Sequence, residues 1–230
     1  MRIAVIPARG GSKRIPRKNV KVFAGKPMIS WSIAAAQASD VFDRVIVSTD
    51  DEDVAAIAKQ HGAEVPFMRP ANLADDHTPT VPVIAHAQQW VAEHWGAPSA
   101  VCCIYATAPF VRAEDLRKAY ELLSGSDANY VFPVTSFPFP IQRGVRLTDD
   151  GRMEMFWPEH ALTRSQDLEE AYHDAGQFYW GRPEAWLGGH MLFGACSIPL
   201  IVPRHRVQDI DTMEDWTTAE AKFYALQNLG

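Results

Sequence analysis

Cysteine is scarce in this chain, with three residues in 230. Cys102 and Cys103 are adjacent, Cys196 stands alone, and no C-x-x-C pair occurs, so neither a disulfide framework nor a zinc site is supported. All three read as core thiols of a reducing cytoplasm. No apolar run approaches a membrane span, and the first residues read as a strand rather than a signal peptide. The eight histidines form neither H-x-x-H nor H-E-x-x-H and are read as structural or surface groups. No G-x-G-x-x-G follows the first strand, and Gly25-Lys26 leads into Pro27, where a Walker loop needs Ser or Thr. A dinucleotide dehydrogenase and a Walker-type NTPase are both disfavoured. Ser12 has no G-x-S-x-G setting and no partner base, so nucleophilic catalysis is not indicated.

Acidic residues are missing from the first 39 positions, which hold eight Lys or Arg. Beyond them lie 14 basic and all 28 acidic residues, in a chain of net charge −6. A positive island on an acidic protein is a focused field for an anion. A solvated surface is the ordinary reading of a charge run, and this contrast weighs against it. Nucleic acid is a poor partner, because no basic stripe recurs elsewhere.

The island is the loop Arg9-Gly10-Gly11-Ser12-Lys13-Arg14-Ile15-Pro16-Arg17-Lys18-Asn19, with Lys21 and Lys26 close behind. Ile3 to Ala8, before it, is apolar on both faces, as a buried parallel strand should be. Gly10 and Gly11 allow positive φ, which would turn successive N–H groups onto one anion. A glycine-lined basic loop at the carboxyl end of a strand is where an open α/β sheet binds its ligand. The expected ligand is a polyphosphate.

Strands then alternate with helices. The pattern predicts a helix over 28–39, a strand over 44–48 and a helix to about His61 capped by Thr49 or Asp50. A short strand over 64–68 follows, then a helix capped by Thr80 and carrying Ile84, Ala87, Val91 and Trp95. A strand over 101–105, a helix over 113–123 and a strand over 130–135 complete the repeat, implying an α/β fold with a parallel sheet and helices on both faces. The rhythm breaks at Ser136: Phe137-Pro138-Phe139-Pro140 suits neither helix nor central strand. Asp149-Asp150-Gly151 marks a hairpin, and the polar run 158–175 exceeds an ordinary connection. Strand-like sequence resumes at 177–180 and 198–202, and a helix is expected from Met213 to Leu229. Residues 1–230 are read as a single domain, with 136–176 as an inserted subregion.

Asp209 and Asp211, two apart at the end of an expected strand, would project to one side. Such a pair suits Mg²⁺, which takes few carboxylates plus substrate phosphates. Capping of the last helix by Asp211 or Thr212 could account for one of the pair, not for Asp209. After the third strand, Arg69 is read as a partner for phosphate or base, and Asp75-Asp76 as a solvated loop. Tyr105 is either a stacking and hydrogen-bonding surface or a buried core tyrosine. The reaction that fits is attack on a nucleotide α-phosphate with loss of pyrophosphate, driven by positioning and charge stabilisation.

Pro7-Ala8-Arg9-Gly10-Gly11-Ser12-Lys13, Lys18-Asn19, Val47-Ser48-Thr49-Asp50, Arg69-Pro70 and Asp209-Ile210-Asp211-Thr212 together resemble the cytidylyltransferases that activate acidic nonulosonic sugars. The resemblance spans nearly the whole chain. It implies a Rossmann-like three-layer αβα sugar-nucleotide transferase fold with a mostly parallel sheet and an inserted hairpin and dimerisation region, and a reaction of CTP with an acid sugar, using Mg²⁺. It implies that Arg9, Gly10, Gly11, Ser12, Lys13, Lys18, Asn19, Arg69, Thr80 and Tyr105 surround CTP, with Arg9 and Lys18 catalytic and Asp209 and Asp211 on the metal. Tyr105 stands where the sialic-acid-activating members carry glutamine, and Ala175-Gly176-Gln177 where they carry Asn-Gly-Ala. The segments 140–143 and 164–180 look instead like the pseudaminic acid cytidylyltransferases, which supply bacterial flagellin and surface glycans. On that likeness Arg143 and Arg164 would take the sugar carboxylate, and Gln166, Gln177 and Tyr179 its hydroxyl and N-acyl groups. Arg143 reads equally well as a surface strand residue. The resemblance also implies a cytoplasmic homodimer in which the inserted region reaches across to the other copy. The alternatives are the same chemistry on N-acetylneuraminate or another acid sugar, and a non-catalytic nucleotide-binding module.

Overall fold

A computed structural model describes residues 1–227 of the chain. In order, its elements are β1 (Arg2–Pro7), β2 (Val22–Phe23), β3 (Lys26–Pro27), α1 (Met28–Ser39), β4 (Arg44–Ser48), α2 (Glu52–Gln60), α3 (Thr80–His94), β5 (Ala100–Ile104) and α4 (Ala113–Ser124). There follow β6 (Tyr130–Ser136), β7 (Val145–Leu147), β8 (Met153–Met155), β9 (Tyr172–Asp174), β10 (Phe178–Gly181), α5 (Pro183–Leu187), β11 (Ser197–Ile201) and α6 (Met213–Gln227). The expected helix end at Leu229 lies outside the described residues.

The sheet runs β11-β6-β10-β5-β1-β4. Strands β4, β1 and β5 pair in parallel, as do β6 and β11. Between these groups β10 is antiparallel to both β5 and β6, and β9 is antiparallel to β6. The α/β class holds, with a mixed, mostly parallel sheet whose antiparallel members are β9 and β10. A fully buried run such as Phe178-Tyr179-Trp180 meets the same core from either direction, so its apolar pattern carries no sign of orientation.

Successive side chains of β1 feed two cores. Ala4 and Ile6 pack with Ile29 and Ile33 of α1, Val54 of α2 and Leu116 of α4. Ile3 and Val5 pack with Ile84, Ala87 and Val91 of α3 and Trp186 of α5. Helices therefore cover both faces, giving three layers, and each fully buried Ile or Val contributes about 1.5–3 kcal/mol. Cys102 and Cys103 divide between the two cores, and burial pushes both thiols up. Cys196 departs from the core reading: it is exposed, between α5 and β11.

A third cluster joins α6 to the opening loop. Phe23 meets Trp216 and Phe223 edge-on at 5.4 and 5.5 Å, and Ile15 is fully buried beside Ile210. Ile15 thus anchors the basic loop in apolar contacts while its charged neighbours stay outside.

Local departures have local causes. Asp51, not Thr49 or Asp50, caps α2, accepting from Val54 N at 2.9 Å. Pro79 occupies the N-cap of α3, and Thr80 lies inside the helix with its hydroxyl 3.3 Å from Tyr105 Oη. The segment 64–68 makes only isolated bridges, at Glu64 and Met68, because Pro66 interrupts the ladder. Residues 207–212 form no strand. Thr212 caps α6 and Asp215 reciprocates, accepting from Thr212 N at 2.8 Å, so Asp211 is not the cap.

Candidate active site

Strands β1, β4 and β5 end on one edge of the sheet, and the loops that follow them enclose a cavity of about 490 Å³. Arg9, Ser12, Lys13, Lys18 and Asn19 line it from the opening loop. Arg69, Thr80 and Tyr105 line it from the loops after β4 and β5 and from the first turn of α3. Arg14, Asp76 and Thr107 complete its polar wall. Eight of the residues expected around a nucleotide are therefore brought together.

Gly10 and Gly11 are not among them. They border an adjoining depression beyond Arg9 and Lys13, and neither has positive φ. The Gly10 N–H donates to Asp50 Oδ1 at 3.0 Å, and Ser12 N–H donates to the Gly10 carbonyl at 3.1 Å. Those two N–H groups serve the loop rather than an anion. Glycine is required at position 10 for room, since a Cβ there would lie 2.5 Å from Asp51 Oδ2.

The positive island is also divided. Arg17 turns to Asp51 and Asp53 at 3.6 and 3.0 Å. Lys21 and Lys26 lie over the rings of Trp216 and Trp31. Arg9, Lys13, Arg14 and Lys18 remain to face the cavity, and each has a carboxylate partner. Arg14 and Lys18 reach Asp211 at 3.0 and 3.4 Å, and Lys18 also donates to the Ile210 carbonyl at 2.7 Å. Arg9 and Lys13 both contact Asp76. Hydrogen bonds from Lys13 and Arg9 hold the Asp76 carboxyl down to about 2. Asp75 instead shapes its own loop, accepting from His77 N and Thr78 N at 2.9 and 2.7 Å. The solvated-loop reading of the pair therefore fails for Asp76. A loop acid that follows Arg69-Pro70 on the ligand edge was the sequence signal for it.

Arg69 is 6% exposed, and its guanidinium is spent partly on the end of β4. Nε donates to Ser48 Oγ at 3.1 Å, and Nη2 to the Ser48 carbonyl. Burial lowers its pKa to about 10, opposed by the Asp50 charge. Asn19 donates to the Arg9 carbonyl at 2.8 Å, fixing the point where β1 gives way to the loop.

Asp209 and Asp211 lie outside the cavity wall, joined to it through Arg14 and Lys18. Their segment is held on three sides: Lys222 donates to Val207 O at 2.8 Å, Ile210 is buried, and Arg206 forms a buried ion pair with Asp115 at 2.7 Å. Desolvation and the Asp211 charge raise the Asp209 carboxyl. Two hard-oxygen donors whose charges oppose one another suit a divalent cation. Among the described residues no group of three His, Cys, Asp or Glu gathers, so a cation there would take its other oxygens from water and ligand.

The five residues expected at the sugar do not line the cavity. Arg164 and Gln166 are exposed, and Arg143 donates to the Thr163 carbonyl at 2.6 Å within the inserted region. Gln177 is buried and donates to the Arg206 carbonyl at 2.6 Å. Tyr179 is buried and donates to Asp174, its ring 5.3 Å from that of Tyr105. Tyr105 is partly buried, packing against both cores, and lines the cavity.

A mixed α/β sheet that gathers Arg9, Lys13, Arg14 and Lys18 at its carboxyl edge has the charge and position that suit a polyphosphate. Residues 3–182 match the family model described as Cytidylyltransferase, and the chain belongs to that family. It is 44% identical over 213 residues to a pseudaminic acid cytidylyltransferase of Campylobacter jejuni, covering 93% of this chain and 92% of that one. A Helicobacter pylori protein described as pseudaminic acid cytidylyltransferase and UDP-2,4-diacetamido-2,4,6-trideoxy-beta-L-altropyranose hydrolase is 33% identical over 221 residues, covering 96% of this chain and 42% of that one. The solved structure of CMP:2-keto-3-deoxy-manno-octonic acid synthetase complexed with CTP shares the fold, with a TM-score of 0.72 at 16% identity over 97% of this chain and 98% of that one.

Proposed function

We propose that the protein transfers CMP from CTP to the anomeric hydroxyl of pseudaminic acid, releasing pyrophosphate and forming CMP-pseudaminic acid. The observation that carries this reading is the cavity faced by Arg9, Lys13, Arg14 and Lys18, in a chain so similar to an enzyme of that description. The sugar oxygen bonds to the α-phosphorus, the bond from that phosphorus to the β-phosphate bridging oxygen breaks, and the hydroxyl proton is released. Arg9 and Lys18 compensate the charge that builds on the departing pyrophosphate, a contribution of about 2–4 kcal/mol for a preorganised donor. Ser12, Lys13 and Asn19 hold the phosphates and the loop, while Arg69, Thr80 and Tyr105 meet the nucleoside.

Asp209 and Asp211 would hold Mg²⁺, which when bound supplies a Lewis acid at phosphate oxygens. The inserted subregion 136–176 is proposed to serve sugar binding and homodimer formation, with Arg143, Arg164 and Gln166 reaching the sugar of one copy or the other. Leu147, Met153 and Leu162 there are 80, 75 and 98% exposed, an apolar surface that suits a second copy. Gln177 and Tyr179 are proposed to act from behind Tyr105. CTP as donor suits a cytoplasmic enzyme, and the product is proposed to feed bacterial flagellin or surface glycans.

A panel of acid sugars with CTP, followed by pyrophosphate release, tests the reading. Pseudaminic acid should give efficient turnover and N-acetylneuraminate little. Comparable specificity constants would remove the named sugar, and nucleotide binding without any turnover would leave a non-catalytic module.

A further inference from the structure

The four opening-loop cations that face the cavity are shared between two carboxylates from distant parts of the chain. Asp211 takes Arg14 and Lys18, beside the proposed metal pair. Asp76 takes Arg9 and Lys13, one with each carboxylate oxygen, and among the described residues it belongs to no group of three His, Cys, Asp or Glu. An acid in that position opposes the binding of a polyphosphate. It occupies the cations a phosphate needs and repels the phosphate itself. Asp76, Arg9 and Lys13 each border both the cavity and the depression beyond it, so the acid and its two cations meet where the two spaces join. The Asp76 loop is kept in shape by Asp75 and continues through Thr78 to Thr80, both on the cavity wall.

We propose that Asp76 is a displaceable counter-anion: it holds Arg9 and Lys13 in place when the cavity is empty and competes with pyrophosphate for them when the product leaves. This rests on the reading of the cavity as the CTP site. Phosphate binding there is an exchange of one anion for another, so the cations favour the nucleotide less than four free charges would. The same exchange speeds departure of pyrophosphate, a small and highly charged product. Asp76 is thus a positioning residue whose loss should make the site too retentive.

The test compares the full-length protein with Asp76→Asn and Asp76→Glu. Calorimetry measures inorganic pyrophosphate without divalent cation and CTP with Mg²⁺, each at low and high salt. Asp76→Asn should bind pyrophosphate about tenfold more tightly, CTP by a similar factor, and with a steeper salt dependence, since a freed cation adds to the screened attraction. Its KM for CTP should fall while kcat falls with slower product release; Asp76→Glu should stay near the wild type. Pyrophosphate binding by Asp76→Asn that is equal to or weaker than wild type overturns the assignment, and weaker CTP binding would make Asp76 a ligand of the bound nucleotide instead. If the wild type binds neither probe, the cytidylyltransferase reading falls and this inference with it. If the wild type binds both and Asp76→Asn is no tighter, only the counter-anion falls.

Discussion

Lys18 and Asp211, 193 residues apart in the chain, meet with Nζ 3.4 Å from Oδ1, and the same ammonium donates to the neighbouring Ile210 carbonyl at 2.7 Å. One side chain therefore links the first loop to the segment that precedes the last helix. It stands at once on the phosphate wall and against the proposed metal pair.

Lys18→Ala should lower kcat/KM by about 2–4 kcal/mol, the loss of a preorganised donor at developing charge. It should also cost about 1–2 kcal/mol of stability, because a partly buried carbonyl loses a charged donor. Arg9→Ala should reduce kcat more than it raises the KM for CTP, with little change in the fold. Steady-state kinetics and denaturant titration separate the two variants; an unaltered kcat and KM for Arg9→Ala would reduce the island to surface charge.

Asp209→Ala and Asp211→Ala should each abolish most Mg²⁺-dependent turnover and weaken Mg²⁺ binding in calorimetry. Chelation should do the same to the wild type. Stability should change by no more than about 1 kcal/mol for Asp211→Ala, since its ion pairs are solvent-accessible. Near-normal activity in both variants would move the metal elsewhere.

The raised Asp209 carboxyl gives a pH signature. Between the ordinary value of 3.8 and its raised one, the folded protein keeps a proton that the unfolded chain has released. Stability therefore falls as pH rises through that window and stays lower above it. Asp209→Asn should raise the Tm at neutral pH, by no more than about 0.5 kcal/mol in stability because solvent reaches the side chain, and the gain should vanish in acid. Asp76 has the opposite sign, its contribution present above the ordinary range and lost as pH falls towards about 2. Thermal melts of both Asn variants across pH distinguish them.

Gln177→Leu should destabilise the protein by about 1–3 kcal/mol, because the buried Arg206 carbonyl loses its donor. A change in sugar KM with full stability would instead give Gln177 a direct role at the sugar.

The apolar runs at β1, β4, β5 and β6 and the periodic helices between them were legible because each meets the core through local pattern alone. So was the grouping of Arg9, Lys13, Lys18 and Asn19, which share one short loop. The fates of Arg17, Lys21 and Lys26 were not, since Asp53, Trp216 and Trp31 draw them away through contacts that depend on the fold. Asp76 was visible as a loop acid on the ligand edge, but its pairing with Arg9 and Lys13 depends on the fold. The regularity expected at Asp209 and Asp211 was misread: tertiary clamps, rather than a strand ladder, hold that segment. Arg143, Arg164 and Gln166 belong to an inserted region that packs apart from the cavity, Arg143 donating to the Thr163 carbonyl within it, so local pattern could not place them.

The antiparallel strand β10 lies between β5 and β6, yet it is made after both. While the chain is being synthesised, the facing edge of β6 has no occupant before β9 and that of β5 none until residue 181 has left the ribosome, several seconds of synthesis at about 5–20 residues per second. The first 135 residues therefore cannot close the sheet alone, and two strand edges stay open to wrong pairing in the interval. β10 fills that gap late and β11 then covers the outer edge of β6, so the central edges stay exposed until the second half of the chain arrives.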